Sequence, residues 1–285
     1  MFNLIKMNFY RLFHQRSFYI CVAAAALTGW FMVFLVWMTP KLEAEIEARA
    51  TEEEGFIEGF HVGYAGELTE ESAPVLEIFN VSDFMDEFLT GGIGLILISV
   101  SVPLIVNADR KRGYIKNLGG QMKPRGMLAL AKLPVILFDS AVIYITTFLS
   151  FALFGRIYYA KYTLGDIPLL CRTLLVQMVI ALAFGALLMV ICMLTRSAAG
   201  GILAGLAVSM GLVDFICAQV NKFAVAYLGA PMEFDIARYS LDYYVSEIFS
   251  ESPGSVLTAA LLVGAVYLVL ASAAGYLLME KRDVV

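Results

Sequence analysis

Six stretches of this chain are too long and too free of charge to be the core segments of a water-soluble domain. They cover residues 17–38, 89–106, 133–154, 167–194, 197–217 and 256–279. Crossing the roughly 30 Å hydrocarbon core of a bilayer takes about 20 apolar residues in helical form. Three of the stretches contain no Asp, Glu, Lys or Arg, and the others hold one each: Asp139, Arg172 and Asp214. Hydrophobic residues make up 60% of the chain and charged residues 16%, well away from the half and the quarter of an ordinary soluble domain. The expected fold is therefore an all-α polytopic membrane protein with six transmembrane helices in a single transmembrane domain, residues 1–285.

What lies between the stretches is uneven. Residues 1–16 place Phe2, Ile5, Phe9, Leu12 and Phe13 at helical spacing with Lys6, Arg11 and Arg16 between them. That pattern describes an amphipathic helix in the membrane interface. The first apolar run is longer than a signal-peptide core and no small-x-small site follows it, so it reads as a retained span. Thr39-Pro40 is expected to close it. Residues 41–88 form a large acidic loop whose stretch 43–58 has the composition of a helical extension. The loop reads either as an acidic binding surface or as a solvated connection kept out of the membrane by its charge. Pro103 marks a kink near the end of the second span. Residues 218–255 are too polar to span and too aromatic for a plain loop, so a re-entrant or interfacial helical hairpin is expected there, shielded by protein or water.

Orientation follows from the Lys and Arg residues flanking the spans. Thirteen of the twenty fall on the side of residues 1–16, 107–132, Arg196 and the C-terminal end, against seven on the other. Both termini are thus expected in the cytosol, with 41–88 and 218–255 outside.

The chemistry-bearing patterns are few. There is no G-x-x-x-x-G-K-[ST], no H-E-x-x-H and no G-x-S-x-G, so neither nucleotide binding by a P-loop nor metalloprotease or serine-hydrolase chemistry is indicated. The four cysteines stand apart, without metal spacing, and read as small packing residues. No basic stripe with interleaved aromatics suggests nucleic acid. Asp139 and Asp214 are costly in an apolar run and are read as cavity candidates, the alternative being a carboxyl hydrogen-bonded within the bundle. Gly201 and Gly205 allow close helix approach, at a dimer seam or inside one chain.

The most specific segment is 109–132, within a cytosolic coupling loop spanning 107–132. Tyr114, Ile115 and Leu118 would share one face of a short helix among bases, Gly119-Gly120 would break it, and Pro124 suits the first turn of the next. Such a helix can dock into a partner's groove. The positions Asp109, Gly113, Tyr114, Lys116, Leu118, Pro124, Arg125 and Lys132 together resemble the cytosolic loop of ABC-2-type transporter permeases, small bacterial antibiotic-peptide export and immunity permeases included. The lead-in 3–12, the large first loop and the aromatic excursion before the last span are similar as well. Asp109 stands where Glu is more usual. The resemblance implies a permease subunit of an ATP-driven exporter in the bacterial plasma membrane. It would pair with a second permease copy or paralogue and with separate ABC ATPase subunits. It would bind no cofactor itself, ATP and Mg residing on the ATPase. Asp109, Arg112, Gly113, Tyr114, Ile115, Lys116, Leu118, Pro124 and Arg125 would form the ATPase-docking coupling helix, and residues 2–16 the connecting helix. The other class the sequence leaves open is a stand-alone membrane sensor or scaffold that binds a ligand through the acidic outer loop; an intramembrane enzyme lacks paired catalytic groups within the spans.

Overall fold

The computed structural model describes residues 2–52, 78–111, 124–228 and 235–281, the side chains of 43–52 and 109–111 excepted. The interior of the 112–123 segment, with Arg112, Gly113, Tyr114, Ile115, Lys116 and Leu118, lies outside the described residues, as does most of the acidic loop.

In chain order the helices are α1 (Phe2–Phe13), α2 (Arg16–Glu52), α3 (Val81–Thr90), α4 (Ile93–Lys111), α5 (Met127–Leu130), α6 (Leu133–Tyr158), α7 (Ile167–Thr195), α8 (Ala198–Ser209), α9 (Leu212–Leu228), α10 (Leu241–Glu247) and α11 (Gly254–Lys281), with one 3₁₀ turn at Ile236–Tyr239 before α10. Two residue pairs, β1 (Phe79–Asn80) and β2 (Tyr162–Thr163), run parallel and tie the start of α3 to the α6–α7 loop.

Four helical segments are long and apolar enough to cross a membrane alone: residues 16–42 of α2, α5 with α6, α7, and α11. Two further candidates are bent pairs, α3 with α4 at 61° and α8 with α9 at 57°. The chain therefore has four spans, or up to six if each bent pair is one crossing. Local sequence sets the ends. Pro134 and Pro168 occupy the first turns of α6 and α7, where a missing N–H is no loss. The Asp166 carboxylate caps α7 by accepting from Leu169 N at 3.2 Å, and Arg196 in the left-handed region (φ 56°) ends it.

Three expectations are corrected. α2 does not stop at Thr39-Pro40 but runs on to Glu52. The proline forfeits one backbone bond, and the Lys, Leu, Glu and Ala residues beyond it are strong enough helix formers to carry the helix past. Residues 197–217 are not one straight helix, because Met210 and Gly211 break it and the second limb continues to Leu228. The 218–255 excursion thus begins as the continuation of α9. The second span starts at Ile93 rather than 89, after a turn at Gly91-Gly92, and passes through Pro103 to Lys111 without ending there.

The core sits where α7 packs on α11, α4, α8 and α6, and α6 in turn packs on α2. Its buried side chains include Phe88, Ile98, Ile136, Ile143, Phe151, Ile180 and Met189. Small residues bring the helices together: Gly29 of α2 meets Ser150 of α6, whose Oγ donates to Ala26 O at 2.7 Å. α2 and α11 turn Tyr19, Ile20, Leu27, Phe31, Leu262, Val266, Val269 and Leu270 outward. An apolar band of that extent is the surface of a protein that lies in a membrane rather than in water.

Candidate functional site

Polar side chains gather at three levels of the bundle. One end collects α1, the end of α4, α5, the start of α6 and the end of α11. Here Phe9 of α1 packs edge-on against Phe138 at 5.3 Å, and Asn8 Nδ2 donates to Ala131 O at 3.0 Å. Leu4 is buried against Leu128 and Ala131. Glu280 of α11 accepts from Gly126 N at 3.1 Å, and the Lys132 ammonium donates to Val106 O at 3.0 Å, tying α6 to α4. Lys111 and Pro124, which bracket the basic segment, both belong to this end. Pro124 and Arg125 open the turn that leads into α5.

The middle level holds Asp139. It is fully buried on α6, and the Ser101 hydroxyl of α4 donates to its Oδ2 at 2.5 Å. Its Oδ1 has no hydrogen-bond partner, and Cys21 of α2 stands close enough to feel its charge. Asp139 therefore lies inside the bundle between α6 and α4, with Cys21 of α2 near enough to sense it. Gly201 and Gly205 also face inward. A Cβ on Gly201 would overlap Cys192 Sγ of α7, and one on Gly205 would come within 2.7 Å of Ser99 Oγ of α4. Both glycines are thus spent on packing within the chain.

The opposite end is the richest, and sequence reasoning missed most of it. The loop after α10 is held from two sides. The Asp86 carboxylate of α3 accepts from Ser250 N and Ser250 Oγ, each at 2.9 Å. The Arg172 guanidinium of α7 donates to Ser250 O and Ser252 O, each at 3.1 Å, and Gln177 Nε2 donates to Val245 O at 3.3 Å. Beside this clasp Asp214 of α9 and Asp242 of α10 lie within hydrogen-bonding distance of each other. Asp242 is buried, and burial followed by the neighbouring Asp214 pushes its carboxyl up to about 6. Asp214 and Asp139, paired as cavity candidates in the sequence, are thus on different levels and share no surroundings. Asp214 and Arg172 were legible, each as a charge in an apolar run. Asp242, the partner of Asp214, sits in a segment already rich in charge, so nothing singled it out.

Among the described residues no cluster of His, Cys, Asp and Glu is arranged to hold a metal ion, and the four cysteines are free thiols. No family model matches the chain, and neither a curated protein nor a solved structure matches it.

Proposed function

We propose that the chain is the membrane permease subunit of an ATP-driven exporter of the ABC-2 type, with six crossings, both termini in the cytosol and residues 109–125 docking on a separate ATPase. The observation that carries the reading is the 109–132 pattern: apolar Tyr114, Ile115 and Leu118 at helical spacing among Arg112, Lys116, Lys123 and Arg125. The placement of its flanks agrees. The segment leaves α4 and rejoins the chain at α5 on one end of the bundle, where α1 packs and α11 finishes. A rigid-body movement imposed there would reach α4, α6 and α11 at once, which is what alternating access demands of a coupling element. A second permease copy or paralogue completes the cavity, and ATP with Mg is handled by the partner chain.

The test is co-purification from the native membrane with the ATPase, using Ile115→Glu and the double charge reversal Arg112→Glu/Lys116→Glu. Each variant should lose ATPase association at least tenfold while still inserting and eluting as a monodisperse species. Intact association in both variants refutes the docking assignment. Absence of any ATPase from the wild-type preparation refutes the exporter reading itself.

A further inference from the structure

We infer that Asp214 and Asp242 form a proton-binding site that locks α10 onto α9 at the end of the bundle opposite α1. The two carboxyls come from different elements and meet within hydrogen-bonding distance. Asp242 is only 7% exposed, and its Oδ2, like Oδ1 of Asp214, is buried without any N–H or O–H donor. Two carboxylates cannot sit so close without a positive partner, because like charges at that separation disfavour each other's ionisation. A single proton solves this: the O–H of one acid donates to the carboxylate of the other, as in a carboxyl dyad. Losing that proton leaves two adjacent anions that push α10 from α9.

Among the described residues, the cations at this end of the bundle are engaged elsewhere or exposed. On the 3₁₀ turn, Asp235 accepts from Asn221 Nδ2 at 2.8 Å and pairs with Arg238 Nε at 3.8 Å, so that guanidinium is engaged by a third acid. Cys217, one turn along α9, feels all three carboxyls. From α7, Arg172 is turned to Ser250 O and Ser252 O. From α3, Asp86 accepts from Ser250, and Asp83 and Glu87 add only negative charge. From α11, Tyr267 donates its hydroxyl to Tyr239 O. The remaining ionisable groups of α10 itself, Tyr243, Tyr244 and Glu247, bring no positive charge, and Lys222 on α9 lies exposed eight residues beyond Asp214. Burial raises Asp242 to about 6, which puts the proton's departure between mildly acidic and neutral pH.

The site is tested on the full chain in lipid nanodiscs by amide hydrogen exchange over residues 241–247 at pH 5 and pH 8, corrected for intrinsic rates. Wild type should exchange at least tenfold faster at pH 8. Asp214→Asn and Asp242→Asn, in which a neutral amide donates to the remaining carboxylate at either pH, should each remove that difference and stay protected. A flat wild-type profile overturns the inference, and so does a pH dependence that survives in both variants. A third arm adds calcium chloride at pH 8: wild-type protection restored by calcium, absent from the variants, would reassign the site to a cation and overturn the proton.

Discussion

Replacing Ser101 by alanine isolates the buried Asp139 carboxyl. Asp139 has one hydrogen-bond donor, Ser101 Oγ at 2.5 Å, and an Oδ1 with no partner. Ser101→Ala would leave the whole group unsatisfied in the interior. In a soluble protein an orphaned buried polar group costs about 1–3 kcal/mol. Between membrane helices the reference state finds partners too, and measured couplings average about 0.6 and reach about 1.7 kcal/mol. Full burial argues for the upper part of that range, so the expected loss is roughly 1–2 kcal/mol. Asp139→Leu, by contrast, removes the acid and lets the Ser101 hydroxyl turn to its own helix, as Ser140 does toward Ile136 O at 3.0 Å. Leucine keeps the forked shape at Cγ, and although its methyls are bulkier than the carboxylate oxygens it leaves no polar group unpaired, so this change should cost less than the alanine. The double variant should then match Asp139→Leu, giving a coupling of roughly 1–2 kcal/mol in a double-mutant cycle. The assay is equilibrium unfolding by SDS titration in mixed micelles. Ser101→Ala indistinguishable from wild type, or a double variant as unstable as the two losses added, would refute the argument that Ser101 is the carboxyl's sole support.

Gly165 adopts φ +76°, and a Cβ there would overlap Ser82 Oγ and Asn80 Oδ1. Gly165→Ala combines left-handed strain with loss of the α3 cap and should cost about 2–3 kcal/mol in the same titration. Arg172→Met removes two hydrogen bonds to the 250–252 loop from an exposed position; about 1 kcal/mol and faster proteolytic cutting near Ser250 are expected, with Arg172→Lys intermediate. Gly205→Leu drives a side chain into Ser99 and should prevent α8 from seating on α4, read as loss of a monodisperse peak on size exclusion. The pH dependence has a definite sign. Asp242 binds its proton more tightly folded, at about 6, than at the ordinary 3.8, so its contribution is fully present below about pH 4 and is lost as pH rises through about 6. Burial is the first cause of the shift and Asp214 the second, so Asp214→Asn should reduce the corresponding slope of unfolding free energy against pH.

The straight spans were legible because length and lack of charge leave a helix no alternative in lipid, and because caps such as Asp166 with Pro168 mark their starts. The breaks were not. Gly201 and Gly205 lie inside a helix while Gly211, a few residues on, ends one with φ +79°. The residue type is the same, and only the neighbour differs. Helical Gly201 and Gly205 lie against Cys192, Pro103 and Ser99, while a Cβ on Gly211 would meet no described residue beyond its chain neighbours within 4 Å. Pro40 misleads in the opposite direction, since a local stop signal lost to a run of helix formers downstream. Asp139 could be placed on α6 from sequence, but its partner Ser101 is an ordinary serine in an apolar run, and Asp242 is one acid among several. Pairings across elements depend on packing that no local pattern encodes.

The two breaks also meet each other. Gly92, which turns α3 into α4, lies where a Cβ would be 3.2 Å from Ser209 O, the last residue of α8, and the Ser99 and Ser209 hydroxyls bond at 3.0 Å. From there α4 and α8 run together toward Pro103 and Gly201. A helix break in an apolar medium is costly when it orphans backbone groups. Here Gly91 N and Gly92 N return to Glu87 O and Leu89 O, and Met210 N and Gly211 N to Leu206 O and Val208 O. Ile96 N and Phe215 N then pick up the carbonyls of Gly92 and Gly211. With those groups satisfied, the breaks are tolerable, and each redirects the limb beyond it by about 60°. Those limbs carry Asp86 and Asp214. A straight continuation of either apolar run would have kept its acid on the axis of a membrane helix; the bend delivers both to the one end where residues 240–253 supply serine hydroxyls, backbone N–H groups and the second carboxyl. The acids are affordable in this chain because the helices that bear them do not run straight.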